Sequence, residues 1–141
     1  MWPATFSARL NAWNLLRSQA QTLPVESALD VINQWWFRCP WRPYHLHWDD
    51  RQDWPDPWQL LSDNIYCDLA RALGIVYTIT LLDRHDIHDA VLISTEKNHN
   101  LVLVANEKYI LNWDSSTVLN TIQVDNIKRQ VDQSQLKKQY T

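Results

Sequence analysis

Asp56-Pro57-Trp58-Gln59-Leu60-Leu61-Ser62-Asp63-Asn64-Ile65-Tyr66-Cys67-Asp68-Leu69-Ala70-Arg71-Ala72-Leu73-Gly74 is the stretch whose reading decides the fold. It is helical, in one of two ways. Asp56 can cap a single helix that has Pro57 at its first position and Trp58, Leu61, Ile65, Leu69 and Ala72 on its apolar stripe. Cys67 then lies mid-helix on the opposite face. Alternatively a short helix ends near Ser62–Asn64 and a second begins there, which puts Cys67 in a first turn. Gly74 terminates either version.

Toward the C-terminus the pattern changes to runs rich in Val, Ile, Leu, Thr and Tyr. They predict strands over Val76–Leu82, Ala90–Ser94, Leu101–Ala105 and Tyr109–Trp113, with a further strand in Thr117–Val124. Asn106-Glu107 reads as a two-residue hairpin turn. Asp125 caps a weak helix with Ile127 and Val131 on one face. Toward the N-terminus, Phe6, Leu10, Trp13, Leu16 and Ala20 recur at helical spacing and predict a helix over 5–20. Val25, Ala28, Leu29, Ile32, Trp35 and Trp36 do the same after Pro24, up to Pro40. Residues 38–55, with Pro40, Pro43, Pro55 and many aromatics, form an ordered loop. Helices first and a meander after them predict an α+β fold in one domain spanning residues 1–141.

Composition narrows the function. The net charge is −3 with no clustered Lys and Arg, so no nucleic-acid partner is expected. No run is long and apolar enough to predict a membrane span, and the N-terminus lacks a signal-peptide pattern. Two cysteines, Cys39 and Cys67, make no disulfide framework and suit a cytoplasmic origin. His45 with His47, and His85 with His88 and Asp86 or Asp89, lack the four-ligand spacing of a structural zinc site. Cys39, in Arg38-Cys39-Pro40, has no evident base and reads as a buried structural thiol. Six of the nine tryptophans lie between Trp35 and Trp58. They read as an aromatic core under a long loop, or as an aromatic-rich surface that meets other protein subunits.

A thiol enzyme needs a cysteine, an imidazole to take its proton, and a group that orients the imidazole. If Asn106-Glu107 is the turn, Ala105 pairs with Lys108, and counting outward places His99 opposite Asp114. Opposed residues of an antiparallel pair have Cβ atoms about 4.5–5.5 Å apart, within reach of an imidazole–carboxylate bond. His88 precedes the strand from Ala90 and falls at the far end of the sheet, roughly 15 Å or more away. A helix N-terminus stabilises a thiolate, and Cys67 gains this only in the two-helix reading.

Ile32-Asn33-Gln34-Trp35-Trp36, Asp49-Asp50, Trp54-Pro55-Asp56-Pro57, Leu60-Leu61 and Cys67-Asp68-Leu69-Ala70 occur in an order similar to that of bacterial transglutaminase-like cysteine proteinases. His99, Leu101–Val104 and Tyr109-Ile110-Leu111-Asn112-Trp113-Asp114 continue it. The resemblance implies a papain-like core, with the Cys67 helix packed on an antiparallel sheet. It also implies a triad of Cys67, His99 and Asp114 and no cofactor. The family's glycine before the cysteine is replaced here by Ile65-Tyr66, which points to a degenerate site. Short Trp-rich proteins encoded by tailed phages, including T4-like phages of cyanobacteria, also look similar. That likeness implies a structural role in a virion, as a tail, baseplate or neck component assembled in the host cytoplasm. The alternative is an active thiol peptidase, amidase or transamidase. There Cys67 attacks an amide carbonyl, His99 acts as base and then acid, and Asp114 orients the imidazole.

Overall fold

The computed structural model describes residues 2–43, 46–87, 89–119 and 124–136. Helix α1 (Phe6–Thr22) starts at Thr5, whose hydroxyl accepts from the Ala8 N–H at 3.1 Å. Its Arg9, Trp13, Leu16 and Ala20 face inward, three or four residues apart. Helix α2 (Val25–Trp36) packs against α1 and buries Ala28, Leu29, Ile32, Asn33, Trp35 and Trp36.

The deciding stretch folds as two helices. In α3 (Pro57–Asp63), Asp56 caps the Gln59 N–H at 2.7 Å and Pro57 opens the first turn. Asn64 takes a left-handed conformation, φ 55°, and stops the helix. Its side chain accepts from the Trp2 indole at 2.7 Å. Ile65 and Tyr66 cross over, and Cys67 caps α4 (Asp68–Thr80).

Two expectations for this region do not hold. Gly74 does not end α4, and Val76–Leu82 is not a strand, because the helix runs on to Thr80. A Cβ on Gly74 would lie 2.6 Å from two ring carbons of Trp36, so glycine serves the close approach of α2 to α4. Ile75 to Ile79 are buried all round, and a run buried on every side carries no helical period in its hydropathy. Thr78 closes this junction. Its hydroxyl accepts from the Trp13 and Trp36 indoles, both at 2.9 Å, and donates to the Gly74 carbonyl at 2.7 Å.

Five strands make an antiparallel sheet in the order β4-β3-β2-β1-β5: β1 (Val91–Thr95), β2 (Asn100–Val104), β3 (Tyr109–Leu111), β4 (Val118–Leu119) and β5 (Ile127–Asp132). The β2–β3 register is the one that the Asn106-Glu107 turn predicts: Val102 opposes Leu111 and Val104 opposes Tyr109. Lys108 N–H donates to the Ala105 carbonyl at 3.1 Å, and Asn106 and Glu107 both have positive φ, as a type I′ turn requires. Ala105 shares the positive φ, and the Asp89 carboxylate holds its N–H at 2.8 Å.

Beyond β3, Val118–Leu119 is the described part of the strand expected in Thr117–Val124; residues 120–123 lie outside the described set. The helix expected after Asp125 is instead strand β5, followed by α5 (Gln133–Leu136). Its exposed polar residues suit an edge strand, where charged side chains discourage further pairing.

Helix α4 packs on β1 and β2. Val102, Val104, Leu111 and Val131 join the main core with the helices, whereas Ile93, Leu101, Leu103 and Ile110 form a second cluster on the outer face. The chain is thus an α+β protein whose helices precede a five-stranded antiparallel sheet. Among the described residues, no helix is long and apolar enough to cross a membrane. The tryptophans between Trp35 and Trp58 divide: Trp35, Trp36 and Trp54 are buried, while Trp41 is 59% and Trp58 40% exposed.

Candidate functional site

Cys67 stands at the N-terminus of α4, with its residue 4% exposed. Its sulfur accepts from the Ala70 N–H of the first helical turn and from the Leu46 N–H of the aromatic loop, both at 3.4 Å. The break at Asn64 produces this placement, since it lets a second helix begin at the cysteine. A groove of about 390 Å³ opens beside the sulfur, lined among others by Trp41, Leu46, Trp48, Cys67, Asn100 and Arg129. His47 also lines it, but both hydrogen bonds to the sulfur come from backbone N–H groups.

The other two members of the expected triad lie elsewhere. Asn100 starts β2 and turns its side chain to the α4 side, where its amide donates to Asp68 at 3.0 Å. Successive side chains of a strand point to opposite faces, so His99 is aimed at the outer face. There its ring lies edge-on to Trp113, 5.5 Å between centroids, with Nδ1 3.8 Å from the Asp125 carboxylate.

Asp114 does not oppose His99 either. The ladder stops at Leu111 because Asn112 is left-handed, φ 66°. After that bend the Asp114 carboxylate accepts from the Ser116 N–H at 2.7 Å, and its carbonyl accepts from the Asn33 amide at 2.9 Å. The register count was sound, but the pair it pointed to is not formed. Among the described residues, no hydrogen bond or ion pair joins Cys67, His99 and Asp114.

What faces the Cys67 helix is a network of amides and one carboxylate. Asp68 accepts from the Asn100 backbone N–H at 3.1 Å and from the Asn112 amide at 3.2 Å, and pairs with Arg71 at 3.2 Å. Asn112 donates to the Asn100 carbonyl at 2.7 Å and accepts from Arg71 Nε at 2.6 Å. Its own N–H reaches the buried Asn33 side chain at 2.9 Å. Arg71 stacks over Phe37, 3.8 Å from the ring centre. Amides neither take nor give a proton near neutral pH, so the three asparagines fix geometry and supply no base. Sequence reasoning quoted Asp68, Asn33 and Asn112 only within the motifs that carry the resemblance, with no role assigned to them, and did not mark Asn100.

Electrostatics follow burial. Burial pushes the Cys39 thiol up to about 12 against the pull of Arg71, consistent with an inert structural thiol. Burial likewise raises the Tyr66 hydroxyl, with Cys39 adding to it. For Asp125, desolvation acts upward, but hydrogen bonds from Thr95 and the Lys97 N–H, with the neighbouring His99, hold the carboxyl below its ordinary range. His45 and His88 lie outside the described residues. Among those described, no three His, Cys, Asp or Glu side chains are grouped to hold a metal ion. Comparison with protein-family models, curated proteins and solved structures finds no match for this chain.

Proposed function

We propose that the chain is a transglutaminase-like module without catalytic activity, serving as an assembly component of a larger particle, a tailed-phage virion. The observation that carries the non-catalytic reading is Asn100. An amide occupies the sheet position facing the Cys67 helix, and the imidazole one residue earlier is on the other face. Triad chemistry needs the base on the nucleophile's side. The part played in a particle rests on the sequence resemblance and on the exposed indoles of Trp41, Trp58 and Trp113, which suit protein contacts.

Incubation with a glutamine-containing peptide and a primary amine, followed by intact-mass measurement, tests the first half. The expected result is no covalent adduct and no transamidated peptide. An acyl adduct that disappears in Cys67→Ala overturns it. Mass spectrometry of purified phage particles tests the second half: stoichiometric copies support it, and absence from the particle sinks it.

One observation favours the thiol-enzyme reading. The Cys67 sulfur already sits where two backbone N–H groups point at it, as a thiolate or oxyanion site requires. The same adduct measurement decides between the two.

A further inference from the structure

The aromatic loop returns over the groove in a short stretch, Leu46 to Asp49, and each of its four residues is tied to a neighbour. Leu46 N–H reaches the Cys67 sulfur at 3.4 Å. The Trp48 indole donates to the Asn100 side chain at 2.8 Å, joining the loop to the first residue of β2. Asp49 meets Arg129 of edge strand β5 at 3.4 Å. His47 lines the groove, and its carbonyl accepts from the buried Trp54 indole at 2.9 Å; Trp54 in turn packs edge-on to Trp48 at 5.3 Å.

These ties differ in strength. The Asp49 side chain is 85% and that of Arg129 37% exposed, so this ion pair is weak and open to salt. The Trp48–Asn100 bond is partly buried and neutral. The Trp54 anchor is buried at its ring, with the residue 3% exposed. Strength therefore falls from the His47 carbonyl, held by Trp54, to the Asp49 contact at the sheet edge.

We propose that Leu46–Asp49 is a strap that shields the Cys67 sulfur, pinned at the His47 carbonyl by the Trp54 indole and latched to the sheet by Trp48–Asn100 and Asp49–Arg129. With the latch made, Leu46 covers the sulfur and the thiol is closed to reagents. With the latch broken, the strap loosens about its His47 pin, the Leu46 N–H leaves the sulfur and reagents reach it from the groove. The device holds whether or not the sulfur does chemistry, so its failure leaves the proposed function standing, and the reverse is also true.

The test is the rate of iodoacetamide labelling at Cys67, followed by peptide mass spectrometry, with buried Cys39 as the internal control. The expected result is slow labelling of Cys67 in the unaltered chain. Arg129→Gln should accelerate it by about two- to five-fold, the scale of a surface ion pair. Added salt should accelerate the unaltered chain and leave Arg129→Gln unchanged. Trp48→Phe, which keeps an aromatic ring but removes the N–H donor, should accelerate labelling by about ten-fold, the scale of a partly buried hydrogen bond. Cys39 should stay unlabelled throughout. Equal Cys67 rates in all variants overturn the strap, and so does a parallel rise at Cys39, which would mean general unfolding rather than local opening.

Discussion

The two faces of the sheet at the start of β2 carry different chemistry. On the groove face, Asn100 shares the Asp68 carboxylate with the Cys67 helix and with Asn112. On the outer face, one residue earlier, His99 lies against Trp113 and near Asp125. Among the described residues, the groove-face sulfur is hydrogen-bonded by backbone N–H groups alone, although His47 lines the groove, and the outer face carries the imidazole of His99. A strand has a side-chain period of two, so a single residue separates these fates. The difference teaches that register and face are separate questions. A correct count across a hairpin says which residues are opposed and leaves open which layer they meet.

The comparison can be broken from below. Thr78→Val is nearly isosteric, yet it leaves the Trp13 and Trp36 indoles without an acceptor in the core. Stability should fall by about 3 kcal/mol in urea unfolding, since each orphaned buried donor costs about 1–3 kcal/mol. Both faces lose their support, because α4 carries Cys67 and Asp68 and backs β1 and β2. Asp68→Ala strikes the groove face alone. It removes the acceptor shared by Asn100 and Asn112 and should cost about 2 kcal/mol, with the indole environment of Trp48 changing in fluorescence.

Alkaline pH gives a third handle beneath the groove. The Cys39 thiol is held up to about 12 in the folded chain by burial, whereas it ionises near its ordinary value when unfolded. The unfolded chain then binds fewer protons, so stability falls as pH rises from about 9 toward about 12. Between pH 8 and pH 10.5 the thiol should account for about 2 kcal/mol of lost stability. Urea unfolding at the two pH values should show that difference shrinking in Cys39→Ala. On the outer face, Asp125→Ala removes an acceptor of the Lys97 N–H and a neighbour of His99 in a wetter setting. A cost of about 1 kcal/mol is expected in thermal unfolding, less than that of Asp68→Ala. An equal or larger cost would erase the contrast between the faces.

Much of the helical layer was legible because its signals are local: the apolar stripes of α1 and α2, the Asp56-Pro57 start of α3, and the turn at Asn106-Glu107. The register of β2 and β3 followed from that turn. Its face did not, for a physical reason. Leu101 and Leu103 on one side, and Val102 and Val104 on the other, are all apolar and buried, so hydropathy gives no parity. Val76–Leu82 failed on the same ground, as a run buried on every side. Gly74 read as a stop because glycine ends helices more often than it admits a tryptophan ring. The left-handed Asn112, which turns Asp114 away from His99, is a consequence of tertiary contacts with Asn33, Asp68 and Arg71 and has no local mark.

The central claim, that His99 and Cys67 belong to opposite faces, is tested most directly by the rate of Cys67 alkylation at neutral pH in His99→Ala against the unaltered chain. Equal rates, within about the two-fold spread of a weak surface effect, are expected. A drop of about ten-fold or more on removing the imidazole, on the scale of a lost general base, would contradict the account.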